Sequence, residues 1–200
     1  MAPKLILASR SPQRRAILEQ LGIPFEVRIA DVEELAEGPP HEVALENAYR
    51  KAAAVAGAAA GAASPAPAAP PAARRLVLGV DTIVTLGRRI YGKPADAEDA
   101  RATLRALSDR RHTVLSGVCL IEEGRVRTAV SSTLVDLRAL DEAVIDWYLA
   151  TGEWSGRAGG YASQGRGAAL VRSIEGDYLN VVGLPVATLI ELAPELLGVP

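Results

Sequence analysis

Cysteine, histidine and net charge are all scarce in this chain, and each scarcity removes a class of chemistry. A single cysteine, Cys119, excludes an internal disulfide framework. It alternates with apolar neighbours and reads as a small core hydrophobe. Two histidines, His41 and His112, have no His or Cys partner at zinc-ligand spacing and read as structural. The formal net charge of −2 and pI of about 5.8 exclude a broadly basic nucleic-acid binder, so any positive site must be local. No stretch reaches the roughly 18 apolar residues of a membrane helix. The Ala-rich run from Ala52 to Ala63 is too short and is interrupted by Gly57 and Gly61. The short apolar run after Lys4 is not a signal-peptide pattern, so a cytoplasmic protein without membrane or nucleic-acid partners is expected.

Familiar motifs are missing too. No G-x-S-x-G nucleophile elbow occurs. No G-x-G-x-x-G follows a strand. Gly160 and Gly165 have the spacing that opens a Walker A loop, but Arg166-Gly167 stands where Lys and Ser/Thr are required. No repeat of fixed period is present.

What is there is an interleaving of strand and helix patterns over 200 residues, enough for one domain with a substantial core. Lys4 to Ala8 reads as a buried strand. Ser11 is a candidate N-cap with Pro12 at the first helical position, and Gly22 closes that helix. Phe25 to Ile29 alternates like a strand, an acidic loop runs from Asp31 to Glu37, and His41 to about Ala60 reads as a helix. Gly61 to Arg75 is an Ala/Pro-rich, low-complexity loop without chemistry. A second apolar strand covers Leu76 to Val80. A ribbon then pairs Ile83 to Leu86 with Arg89 to Tyr91. Asp96 to Leu107 is an amphipathic helix. Two longer strands, Thr113 to Glu122 and Arg125 to Leu137, meet at Gly124. Asp141 to Ala150 is a helix, Gly156 to Gly167 a glycine-rich loop, Ala168 to Ile174 a strand and Leu184 to Leu197 a terminal helix. The pattern predicts an α/β fold with a mixed sheet and flanking helices.

Helix N-termini carry partial positive charge and disfavour arginine unless an anion is near. The stretch "LILASRSPQRR" nonetheless puts Arg14 and Arg15 there. Asp81, in "GVDTIV", is placed by this reading at the carboxyl end of a strand, where open α/β sheets gather functional groups. It is suited to hold a metal or accept a proton from water. Lys93 is fixed between a glycine and a proline as a point charge for phosphate. A glycine-rich loop, "AGGYASQGRG", lets backbone N–H groups approach a ligand. With Glu33 and Glu34 as further acids for a divalent ion, the set points to chemistry on a phosphate chain.

Three long blocks also resemble a known family. "LILASRSPQRRAILEQLGIPFEV", "LGVDTIVTLGRRIYGKPADAEDARATLRALSDRRHTVLSGV" and "GRAGGYASQGRGAALVRSIEGDYLNVVGLP" resemble, in order, the blocks of the Maf (septum-formation-inhibitor-like) nucleoside triphosphate pyrophosphatases. The resemblance implies an elongated, two-lobed α/β body with a central cleft, like inosine-triphosphate pyrophosphatases, in which homodimers are common. It implies hydrolysis of a nucleoside triphosphate to the monophosphate and pyrophosphate with Mg²⁺ or Mn²⁺. Carried over by position, Asp81 matches the catalytic acid and Glu33 an acid near metal and substrate. Arg14 and Lys93 match phosphate-binding residues, Lys51 a lysine of the second helix, and Ser9 the start of the SxSPRR signature. Thr82 and Gln164 match positions tied to base selection. "DT" and "Q-G" are typical of the dTTP/UTP type, "DQ" and "E-G" of the 7-methyl-GTP type. Gln13 departs from the motif's first arginine, at another position associated with base selection. The resemblance therefore implies the dTTP/UTP type, with a 7-methyl-GTP pyrophosphatase of the same family, or a non-catalytic nucleotide-binding regulator of septum formation, as the rival readings.

Overall fold

A computed structural model describes residues 3–29, 31–61 and 74–198, the side chains of 59–61 aside. β1 (Lys4–Leu7) leads into α1 (Pro12–Gln20), then β2 (Phe25–Val27), α2 (Pro40–Gly61), β3 (Arg75–Leu86) and β4 (Arg89–Tyr91). α3 (Ala97–Leu107) precedes the long hairpin of β5 (Arg111–Glu122) and β6 (Arg125–Leu137). α4 (Glu142–Leu149), two 3₁₀ turns, β7 (Val171–Glu175), α5 (Tyr178–Val182) and α6 (Val186–Leu192) complete the order. The seven strands form one mixed sheet in the order β2-β1-β3-β5-β6-β7, with β4 also on β3. β1 runs parallel to β2 and β3, and the other pairings are antiparallel.

Period-two alternation assigns the two faces. Leu5 and Leu7 of β1, Leu76, Leu78 and Val80 of β3, and Val118 and Leu120 of β5 share one core with Ile17 and Leu18 of α1 and Leu189 of α6. Ile6, Ala8, Val77, Cys119 and Ile121, the intervening positions, pack instead against Ala48, Ala52 and Val55 of α2. α2 approaches its face closely because both partners are small. A Cβ on Gly79 would collide with the Ala48 carbonyl and lie 2.9 Å from Ala52 Cβ; one on Gly117 would collide with the Ala44 carbonyl. Ala44, Ala48 and Ala52, spaced four apart, form the helix's side of that contact.

The interruption of one edge of β3 positions the site. β5 covers one edge from Leu76 to Thr85. β1 and β4 therefore share the other, β1 pairing Arg75 to Leu78 and β4 pairing Val84 to Leu86. Gly79 to Ile83 lie between them with no strand partner on that side among the described residues.

Several boundaries differ from the sequence expectation. β3 is one strand through Asp81, not a strand followed by a ribbon, because the β5 ladder continues across it. The strand expected at Ala168 begins at Val171, after a 3₁₀ turn over Arg166–Leu170. The expected terminal helix is broken: Ala193 precedes Pro194, which disfavours helical backbone, and adopts φ −146°, so α6 ends at Leu192. α5, capped by Asp177, was not anticipated. The low-complexity loop expected from Gly61 to Arg75 lies almost wholly outside the described residues.

His112 is buried, with Nε2 2.8 Å from the Tyr161 hydroxyl. Burial pushes its pKa down to about 4, against the smaller opposing pulls of Asp136 and the Arg110 backbone. The unfolded chain takes up this proton near pH 6.5, the folded chain only near 4. The stabilisation is therefore complete above about pH 6.5 and is lost, by about 3 kcal/mol, as pH falls towards 4. Urea unfolding of wild type and His112→Gln at pH 7.5 and 4.5 will show a larger acid loss for wild type. Equal losses would mean that the ring carries no such linkage.

Candidate active site

Asp81 and Thr82 are adjacent on an interrupted strand, so they point to opposite faces of the sheet and yet border the same gap. Asp81 faces α2. It is 5 % exposed; Oδ1 accepts from Lys51 Nζ at 2.6 Å and Oδ2 from Asn47 Nδ2 at 3.1 Å. Asn47 and Lys51 are four apart and so share one side of α2, next to the small stripe that seats the helix. Asn47 also holds the acidic loop, accepting from Leu35 N at 2.7 Å and donating to Leu35 O at 3.0 Å. Lys51 bridges to that loop through Glu34 Oε1 at 2.7 Å, and Lys93 Nζ lies 3.8 Å from Glu34 Oε2.

The opposite face supplies Arg14. Ser11 caps α1 by accepting from Arg14 N, and Pro12 occupies the first turn as expected. The Arg14 guanidinium is buried and donates through Nε to Gly183 O at 2.8 Å, NH1 to Ser9 Oγ at 3.0 Å and NH2 to Thr82 Oγ1 at 3.1 Å. Burial lowers its pKa, with Asp81 and Glu34 opposing. A guanidinium has five N–H donors. With these three engaged, one N–H on each terminal nitrogen is left for a ligand.

These groups line a pocket of about 390 Å³, bordered by Ser9, Gln13, Arg14, Glu34, Lys51, Asp81, Thr82, Lys93 and Gln164. Its apolar side is formed by Val84, Val114, Ala158, Tyr161 and Val181. The α1 arginine, the α2 lysine, the β3 aspartate and the loop residues Lys93 and Gln164 thus converge from distant parts of the chain. Glu33 does not line it: its side chain is exposed and its carbonyl accepts from Arg50 at 3.3 Å. Arg15 is not a lining residue either. Asn47, the Gly183 carbonyl and Tyr161 were missed from the sequence. Only Asn47 left a signal there, one turn before Lys51 in the same helix.

Among the described residues no three His, Cys, Asp or Glu side chains form a metal cage. Asp81 and Glu34 are nevertheless hard oxygen donors joined through one lysine, in a pocket that Arg14 and Lys93 also line. Mg²⁺ is commonly held by one or two carboxylates, with substrate phosphates completing the shell, so the donor set fits.

A buried carboxylate flanked by cations at a break in a mixed sheet defines an enzyme-like site for a phosphorylated ligand. The chain belongs to the Maf family: the Maf-like protein model matches residues 4–196. It is 46% identical over 193 residues to a dTTP/UTP pyrophosphatase of Anaeromyxobacter dehalogenans (strain 2CP-C), covering 94% of this chain and 91% of that one. It is 44% identical over 197 residues to one from Gloeobacter violaceus, covering 98% and 97%. A third from Pyrococcus furiosus is 39% identical over 193 residues, covering 94% and 93%.

Proposed function

We propose that this protein hydrolyses nucleoside triphosphates to the monophosphate and pyrophosphate, with dTTP and UTP preferred. The observation that carries the reading is the buried Asp81 carboxylate, set between Arg14 on one face of the sheet and Lys51 on the other, in one pocket. The similarity to dTTP/UTP pyrophosphatases supports the substrate choice. In the proposed reaction a water oxygen bonds to the α-phosphorus and the bond from that phosphorus to the α,β-bridging oxygen breaks. The water's proton passes to Asp81, and pyrophosphate leaves with the bridging oxygen. Arg14 offers its two remaining N–H groups to phosphate oxygens, and the exposed Lys93 adds a positive charge at the rim. Lys51, 2.6 Å from Oδ1, keeps Asp81 oriented. Mg²⁺ or Mn²⁺, when bound, would supply Lewis-acid polarisation of the phosphates. Asp81 and Glu34 are the residues placed to hold it. Glu33, implied by the resemblance, would need the acidic loop to rearrange.

The base is assigned to the side of the pocket where Gln164 stands. A Gln amide offers one donor and one acceptor group, matching the donor–acceptor edge of uracil or thymine; a Glu carboxylate offers acceptors alone, which suits guanine N–H groups. Gln13, whose Oε1 accepts from Ser11 Oγ at 3.1 Å, broadens this choice without reversing it. A panel of canonical and 7-methylated triphosphates with Mg²⁺ or Mn²⁺, scored for pyrophosphate and monophosphate, tests the reading. A kcat/KM for 7-methyl-GTP above those for both dTTP and UTP overturns the base assignment, and no turnover of any triphosphate favours the regulator. Gln164→Glu is expected to lower kcat/KM for dTTP and UTP about 5- to 150-fold relative to guanine nucleotides, the equivalent of one mispaired polar group.

A further inference from the structure

Gln164 is exposed, yet the backbone on each side of it is tied to the end of α4. Upstream, Ala162 N donates to the hydroxyl of Tyr148, a fully buried side chain of α4, at 2.9 Å. Downstream, Gly167 N donates to Oε2 of the half-buried Glu153 at 3.3 Å. The two holders are themselves joined. Thr151 Oγ1 donates to Tyr148 O at 2.6 Å and accepts from Glu153 N at 3.1 Å. Trp154 Nε1 closes the same turn on Leu149 O at 3.2 Å. The residue after Gln164 carries a separate sign of the contact. A Cβ on Gly165 would lie 2.5 Å from Glu153 Oε2 and 2.9 Å from Cδ. The Gly165 φ of −114° is open to residues that bear a side chain, so the obstacle there is the carboxylate. Tyr148, Glu153 and Gly165 do not border the pocket, whereas Gln164 does.

We infer that Tyr148 and Glu153 are positioning residues for Gln164: they brace its loop from both sides and so sharpen the choice of base without touching the nucleotide. This rests on the assignment of the base to Gln164 and extends it to the support behind that residue. A loop free to shift offers its amide to several base edges, whereas one held at both flanks offers it in one place, and discrimination depends on that preorganisation. Gly165 is the residue that lets the Glu153 carboxylate come close enough to hold the loop.

The test compares wild type with Glu153→Ala, Glu153→Gln, Gly165→Ala, the Glu153→Ala/Gly165→Ala double variant and Tyr148→Phe. Kinetics use dTTP, UTP and 7-methyl-GTP. Calorimetry uses dTMP, which carries the base, and inorganic pyrophosphate, which does not. Glu153→Ala and Tyr148→Phe are each expected to raise KM for dTTP and UTP about 3- to 10-fold, the effect of one hydrogen bond. With kcat little changed, the ratio of kcat/KM for dTTP to that for 7-methyl-GTP should fall. The affinity for dTMP should fall in step, and that for pyrophosphate should not move. Glu153→Gln keeps an acceptor for Gly167 N and should recover most of the loss. Gly165→Ala should match Glu153→Ala, because the flexible carboxylate swings away from the new methyl group. The double variant should then be no worse than either single one. An unchanged base ratio in both Glu153→Ala and Tyr148→Phe, pyrophosphate affinity lost together with dTMP affinity, or additive effects of Glu153→Ala and Gly165→Ala would each overturn the inference. Gly165→Ala gives the same readout should Glu153→Ala not fold. A base ratio that moves in Gln164→Glu but in none of these variants removes the brace and leaves the base assignment standing. Wild type that binds dTMP yet turns over no triphosphate would sink the pyrophosphatase reading alone, because the two binding measurements still test the brace.

Discussion

Asp81→Asn is expected to lower kcat by about 10²- to 10⁴-fold, the range of a positioned general base, and to leave the protein folded. Asparagine preserves the volume and one acceptor. Lys51 can remain on that oxygen at the Oδ1 position and keeps Glu34, its 2.7 Å partner, so its charge is not stranded. The new amide N–H₂ would face the Asn47 N–H₂, which now donates to Asp81 Oδ2. That mismatch costs about 1–3 kcal/mol and lowers Tm by several degrees. The two effects separate experimentally: single-turnover hydrolysis reads the chemistry and thermal unfolding reads the mismatch. A variant with near-wild-type turnover and a lowered Tm would make Asp81 a structural anchor for Lys51 and nothing more.

Arg14→Ala is expected to be the next most damaging change, raising KM and lowering kcat, with kcat/KM down by about 10²- to 10³-fold, comparable to loss of a preorganised charge-stabilising donor. It removes the phosphate grip and also leaves Ser9 Oγ, Thr82 Oγ1 and Gly183 O without their shared donor. Arg14→Lys should recover only part, because one ammonium cannot serve three fixed acceptors and a phosphate together. Arg15→Ala should matter far less. Successive helical residues are turned by about 100°, and Arg15 does not border the pocket. Steady-state kinetics of the three variants decides it. Equal and negligible effects of Arg14→Ala and Arg15→Ala would reduce the pair to a helix start without function.

How much of this was legible in the sequence depended on range. The α1 cap was readable because Ser11, Pro12 and Arg14 act on one another within one turn. The two faces of β1, β3 and β5 were readable through alternation. Asp81 was found but misplaced at a strand end: a carboxylate between Val80 and Thr82 breaks the apolar pattern, and only the ladder to β5 shows that the strand continues. Its partners were out of local reach, since Lys51 and Asn47 are 30 and 34 residues away. The choice between Glu33 and Glu34 was beyond sequence reasoning for a different reason. Adjacent side chains in an irregular loop point apart, and Asn47, which pins that loop at Leu35, fixes which one turns inward. The broken terminal helix was written at Pro194, a residue that ends helices by local sterics, and that signal was outweighed by the apolar spacing around it.

The gap in the edge of β3 has a bearing on solubility as well as on chemistry. An unpaired stretch of strand is a template for pairing with another chain, and proteins blunt such edges to avoid aggregation. Here the window from Gly79 to Ile83, without a strand partner on that side among the described residues, is bounded at both ends by β1 and β4, which already occupy the same edge. An incoming polypeptide strand would have to run into one or the other before it could establish a ladder. A short, flexible anion meets no such obstacle. The fold thus breaks the ladder where its polar side chains converge without presenting a continuous edge to its neighbours.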